Sequence, residues 1–143
     1  MSDLKRVTKN VTASQTNSGD ELQPIILVVD DDDDLRAMVQ VILTGRGYRV
    51  VGASSGAQAY AVAVVEAPDL VLMDIGMPDV DGLSTVWRMR EDSTLAEIPV
   101  VIITAYDSYD LRGEAASAGC KGYLTKPFEP NQLRDVVQQV LDE

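Results

Sequence analysis

The chain has 143 residues, 45% hydrophobic and 24% charged, which suits one globular domain able to bury a core without disulfides or a structural metal. A single cysteine excludes an internal disulfide, and no apolar run approaches the roughly 20 residues that cross a bilayer. The formal charge of −11 argues against direct contact with nucleic acid or an anionic membrane, and suits a divalent cation or a basic protein partner.

In residues 1–23, Lys5, Arg6 and Lys9 balance Asp3, Asp20 and Glu21, so the whole net charge belongs to residues 24–143. This opening stretch is polar, without periodicity and without the apolar centre of a secretory signal, and reads as a flexible leader on a cytoplasmic protein. The domain proper is expected over residues 24–143. Short β-branched runs then alternate with amphipathic stretches. A strand over 25–29 (IILVV) runs into Asp30 and Asp31. A helix over 34–45 follows, with Leu35, Met38, Val39, Ile42 and Leu43 on one stripe and Gly45 and Gly47 at its end. The next strand is 49–53, and an Ala- and Val-rich helix over 57–66 stops before Pro68. A strand over 70–73 (LVLM) leads to Asp74, and after PDVDG a helix covers 83–91. The strand VVIIT at 100–104 ends in Thr104, and a helix over 109–118 ends at Gly119. The strand GYLT at 122–125 runs into Lys126 and Pro127. A helix over 129–141 closes the chain, with Leu133, Val136, Val137, Val140 and Leu141 on one side.

Near-continuous apolar strands separated by helices and short connections predict an α/β fold: a doubly wound (βα)₅ sandwich with a parallel sheet and helices on both faces. In such sheets ligands gather beyond the carboxyl ends of the strands. Asp30 and Asp31, Asp74, Thr104 and Lys126 each stand at such an end, although almost 100 positions separate the first from the last. Three aspartates together repel one another unless a cation joins them, and oxygen ligands alone suit a hard ion such as Mg²⁺, with Mn²⁺ as an alternative. An aspartate beside such an ion can attack phosphorus, with the lysine and the hydroxyl stabilising charge on the phosphoryl oxygens. A calcium loop fits poorly, since counting from Asp30 the sixth position is Leu35 and the twelfth Val41. Asp33 and Asp34 suit a helix N-terminus, with Asp32 left undecided. Cys120 reads as inert, with only Lys121 evidently near it as a base, and Trp87 and the methionines read as packing.

The motifs IILVVDDD, LVLMDIGMPDVDG, VVIITA and GYLTKPF, in this order and spacing, resemble those of the response-regulator receiver family from Ile25 onward. The resemblance implies a flavodoxin-like sheet in strand order 2-1-3-4-5 and a phosphoryl-accepting signalling switch rather than a turnover enzyme. It makes Asp74 the acceptor. Asp30, Asp31, Asp74 and the Gly76 carbonyl would hold Mg²⁺, with Asp30 acting largely through water. Thr104 and Lys126 would contact the phosphoryl oxygens, Thr104 and Tyr123 would form the moving switch, and Lys126–Pro127 resembles the family's cis peptide. A sensor histidine kinase or histidine phosphotransfer protein would be the donor. A downstream protein, or a second copy in a homodimer, would bind the surface of the fourth helix, fifth strand and fifth helix, where Tyr109, Arg112, Glu114, Tyr123 and Arg134 lie. Gly76 and Tyr106 depart from the commoner pattern and flank the path of a hydrolytic water, so they are expected to tune dephosphorylation. A non-phosphorylated pseudo-receiver, acting as a binding module, is the alternative, and loss of the acceptor, the lysine or the acidic pair would favour it. A phosphatase acting on external substrates would need a second acid after Asp74, where Ile75 and Gly76 stand, and a cap that these loops are too short to build. The chain stops soon after its last helix, which suits a stand-alone receiver or, as the second choice, a piece of a larger regulator.

Overall fold

The computed structural model describes residues 23–76 and 82–143; the expected leader up to residue 22 and the turn at 77–81 lie outside the described residues. The elements are β1 (Ile25–Val29), α1 (Asp33–Thr44), β2 (Arg49–Ala53), α2 (Gly56–Glu66), β3 (Leu70–Asp74), α3 (Gly82–Glu91), β4 (Val100–Thr104), α4 (Tyr109–Ser117), β5 (Gly122–Thr125) and α5 (Pro130–Leu141). The five strands form one sheet in the order β2-β1-β3-β4-β5, and every pair is parallel. The expected sheet and strand order are therefore both present, and helix boundaries differ from the sequence reading by a single residue.

Local chemistry explains those boundaries. Asp32 caps α1, its carboxylate accepting from the N–H groups of Asp34 at 2.9 Å and Leu35 at 3.2 Å, so the undecided aspartate is the cap itself. Ser55 and Ser108 cap α2 and α4 in the same manner. Helix α2 ends on Ala67, held in the left-handed region at φ 52° just before Pro68. Glu129 lies one position outside α5, where its side chain and that of Gln132 complete a reciprocal capping box and Pro130 takes the first helical position.

The two faces of the sheet bury different side chains. On one, Val39 and Leu43 of α1 and Leu133, Val137 and Val140 of α5 pack on Ile26, Val28, Leu70, Leu72, Val101 and Ile103. On the other, the small Ala59 and Ala63 of α2, Leu83, Val86 and Met89 of α3 and Ala115 of α4 cover Leu27, Val29, Val71, Met73 and Ile102. Two side chains expected in the packing face outward instead. Met38 keeps 41% of its surface exposed, because Leu35, Val39 and Leu43 already define the buried stripe of α1, and Trp87 on α3 keeps 46%.

Candidate functional site

The site lies at the carboxyl end of the sheet. Asp30 follows β1 and is buried; its N–H donates to the Ala53 carbonyl at 3.1 Å, which fixes the chain where it leaves the sheet. One Asp30 carboxylate oxygen accepts from the Asp32 N–H at 2.9 Å, and the other accepts from Lys126 Nζ at 2.7 Å. Arg36 on α1 donates to the Asp30 carbonyl and pairs with Asp33, so one turn of helix holds the acidic loop from behind. Asp74 is the last residue of β3 and is also buried; Oδ1 accepts from the Gly76 N–H at 2.9 Å and Oδ2 lies 3.4 Å from Lys126 Nζ. Carboxylate oxygens of Asp30, Asp31 and Asp74 all fall within 4.8 Å of one another.

The remaining strands complete the rim. Thr104 ends β4 fully buried, and its Oγ1 accepts from the Tyr106 N–H at 3.0 Å. Lys126 leaves β5 with its own N–H on the Thr104 carbonyl at 2.7 Å, and the Lys126–Pro127 peptide is cis as the resemblance implies. A Cβ placed on Gly76 would stand 3.5 Å from Asp74 Oδ1 and 3.8 Å from the Tyr106 ring, so bare Gly76 lies close to both. Tyr123 on β5 donates from its hydroxyl to the Tyr106 carbonyl at 3.0 Å. Arg112 lies over the Tyr123 ring at 4.4 Å from its centre and grips Asp107 with two bonds of 2.6 and 3.2 Å.

Burial raises the pKa of Asp74 above the ordinary carboxylate value, and the charge of Asp30 adds to this; the Gly76 N–H and Lys126 pull the other way without cancelling it. Burial also works against the Lys126 ammonium, but the Asp30 hydrogen bond and the charges of Asp74 and Asp30 outweigh it, so the lysine is held protonated. Three carboxylates thus gather around one ammonium that pairs with two of them, and the chain contains no histidine that would draw a softer metal. An oxygen-only pocket with surplus negative charge fits a hard divalent cation.

Asp30, Asp31, Asp74, Gly76, Thr104, Tyr106 and Lys126 lie in or beside this rim and Tyr123 joins it through the Tyr106 carbonyl, while Tyr109, Glu114 and Arg134 lie on helices α4 and α5 away from it. Two residues, Arg36 and Gly82, and one contact were missed. Arg36 carried no signal, because its contact with Asp30 depends on how α1 leaves the loop. Gly82 opens α3 so close to β3 that a Cβ there would stand 2.4 Å from the Asp74 carbonyl, which only glycine permits; the DG pair after the acceptor strand could have indicated it. The Asp107–Arg112 grip on Tyr123 depends on side-chain placement that spacing does not encode. The expectation that only Lys121 stands near Cys120 needs correction, because Arg90 lies close enough to lower the thiol's pKa; burial dominates and pushes it up to about 11.

A five-stranded parallel sheet in this order, with an aspartate following β1, another ending β3 and a lysine leaving β5, defines the flavodoxin-like fold with an acidic rim. The chain belongs to the response regulator receiver domain family, whose pattern it matches over residues 26–138. The receiver domains of response regulators are phospho-accepting switches of two-component signalling, not classical turnover enzymes. The chain is 35% identical to the phosphate regulon transcriptional regulatory protein PhoB of Pseudomonas aeruginosa, over 81% of this chain and 51% of that protein. It is 34% identical to sporulation initiation phosphotransferase F of Bacillus subtilis, over 81% of this chain and 92% of that protein. The chemotaxis protein CheY4 of Vibrio cholerae superposes with a TM-score of 0.79 at 32% identity, covering 82% of this chain and 98% of that one. The chain spans about half the length of the PhoB relative it matches. Among the described residues no helix is long and apolar enough to cross a membrane.

Proposed function

We propose that Asp74 is the phospho-acceptor of this switch and that a histidine kinase or histidine phosphotransfer protein in the cytoplasm supplies the phosphoryl group. The reading rests above all on one observation, the gathering of Asp30, Asp31 and Asp74 oxygens within 4.8 Å with Lys126 reaching two of them. Asp30, Asp31 and Asp74, with the Gly76 carbonyl, would hold Mg²⁺, or Mn²⁺ in its place. When bound, the ion would offset the crowded carboxylates and the charge of the incoming phosphoryl oxygens.

An ionised Asp74 oxygen attacks the phosphorus of the donor. The phosphorus–nitrogen bond of phosphohistidine breaks, its electron pair stays on the imidazole, and an acyl phosphate forms on Asp74. Lys126, already within 3.4 Å of the Asp74 carboxylate, turns to the phosphoryl oxygens, and the Thr104 hydroxyl donates to them. Because Thr104 also holds the Tyr106 N–H, movement of its hydroxyl is felt at Tyr106, whose carbonyl carries the Tyr123 hydroxyl. The α4–β5–α5 surface, with Arg112 and Tyr123 on it, then changes its fit for a downstream protein or a second copy. The net charge of −11 disfavours nucleic acid as a direct ligand of this domain. Resetting occurs when water attacks the phosphorus and cleaves its bond to the Asp74 oxygen, and Tyr106 over Gly76 stands on one approach for that water.

Intact mass after incubation with Mg²⁺ and acetyl phosphate tests the acceptor. One phosphate adduct that requires Mg²⁺ and is lost in Asp74→Asn is the expected result; an adduct surviving in Asp74→Asn would place the acceptor elsewhere. Tyr106→Ala should alter the decay of the adduct while leaving its formation intact, and an unchanged decay would remove the shielding role.

A further inference from the structure

Helices α3 and α4 share an open groove of about 520 Å³ lined by Trp87, Tyr109, Asp110, Gly113, Glu114 and Ser117. It lies apart from the phosphorylation rim, and its make-up is unusual for a surface left to water. Trp87 is 46% exposed and Tyr109 92%, while a Cβ on Gly113 would have nothing within 4 Å, so bare backbone lies beside the rings. Asp110 and Glu114 stand one turn apart on α4 and add two carboxylates to the groove. Neither has a cationic partner among the described residues, whereas Asp33, Glu66 and Asp107 pair with Arg36, Arg49 and Arg112.

The molecule itself shows what such a set of groups recognises. Tyr123 carries the guanidinium of Arg112 over its ring, and Asp107 grips that same guanidinium. Tyr60 carries Arg88 over its ring at 4.0 Å and bonds Asp92 through its hydroxyl. At Tyr123 an aromatic face and a carboxylate enclose an arginine, whereas at Tyr60 the ring carries the arginine and the carboxylate bonds the ring's hydroxyl. The α3–α4 groove has the rings and the carboxylates, but its arginine is missing among the described residues.

We propose that this groove docks a cationic segment of a partner protein, with Arg or Lys side chains on the Trp87 and Tyr109 faces and their charge against Asp110 and Glu114. An aromatic face attracts a guanidinium through its quadrupole, and a carboxylate adds a charge-assisted bond. The net charge of −11 draws such a segment in, and the same charge on a second copy makes self-association through this face unfavourable.

Trp87 is the only tryptophan in the chain, so its fluorescence reports on the groove directly. The unmodified full chain would be titrated with a short capped peptide repeating Leu-Arg-Arg-Leu, and with the same peptide carrying glutamine for arginine. The expected result is a saturable change in Trp87 emission with the arginine peptide and none with the glutamine peptide. The double variant Asp110→Asn/Glu114→Gln and the variant Tyr109→Ala should each weaken binding about tenfold or more. A control of equal charge on α5 and its C-terminal cap, Asp135→Asn/Asp142→Asn, should change it less than about twofold. Equal weakening by both double variants would reduce the effect to general attraction by an acidic protein and overturn the proposal. Binding without a change in Trp87 emission would overturn it as well, as would sedimentation showing self-association through this face that the peptide does not displace.

Discussion

Helices α4 and α5 stand before and after the same short strand, yet the protein holds them by different means. Helix α5 buries Leu133, Val137 and Val140 against Ile103 and Leu124, so it is anchored by large aliphatic side chains. Helix α4 buries only Ala115 along its length. Full burial of one Val or Leu is worth about 1.5–3 kcal/mol, which three such residues multiply and one alanine does not approach. What fixes α4 is mostly polar and sits at its ends: the Ser108 cap and the Asp107–Arg112–Tyr123 contact at one, and Arg90 at the other. The difference teaches that α5 belongs to the framework, whereas α4 keeps a position that a small change in polar contacts can alter.

That contrast can be broken by measurement. Leu133→Ala should lower unfolding stability by about 2–5 kcal/mol in denaturant titration, and a loss near that of a surface substitution would remove α5 from the framework. Asp74→Asn should raise the melting temperature at neutral pH in the presence of EDTA by a few degrees, without altering the ranking of the two helices. The sign follows from its raised pKa: the folded protein favours the neutral form, so the stabilising contribution of protonation is present at low pH and lost as pH rises through the folded pKa. The asparagine variant should therefore gain most at neutral pH and lose its advantage in acid, and a melting difference that grows in acid would contradict this. Ala115→Gly should cost about 1 kcal/mol, mainly through helix propensity, and its effect should appear first as faster amide exchange within α4. Arg112→Ala should move global stability by no more than about 0.5 kcal/mol while freeing the Tyr123 ring, read as faster ring flipping by NMR. Slowed ring motion would show that Arg112 does not restrain Tyr123.

Most of this architecture could be read from residue spacing, because strands covered on both faces must be nearly continuous in apolar residues and each helix carries its own stripe and stop. Asp30, Asp31, Asp74, Thr104 and Lys126 were legible for the same reason, since a strand's last residue determines where its side chain emerges. What stayed hidden depended on contacts between elements distant in sequence. The Arg36 bond to the Asp30 carbonyl, the approach of Gly82 to the Asp74 backbone and the arginine over Tyr123 are set by how elements dock, which periodicity does not record. Met38 shows the converse: its spacing fits the stripe of α1, but neighbours better centred on that stripe leave it at the margin.

Arg90 gives α4 a mechanical character beyond simple attachment. From α3 its guanidinium holds the Ala118 carbonyl at 3.0 Å and the Gly119 carbonyl at 3.5 Å, and it also reaches the Ala96 and Ile98 carbonyls at 3.1 and 2.9 Å. The far end of α4 is thus pinned to the lower half of the domain, while the near end follows the Thr104–Tyr106 segment. On the proposed switch, a push at Tyr106 would turn α4 about Arg90 as a lever about its fulcrum, with the swing widest at Tyr109 and dying out toward Ser117.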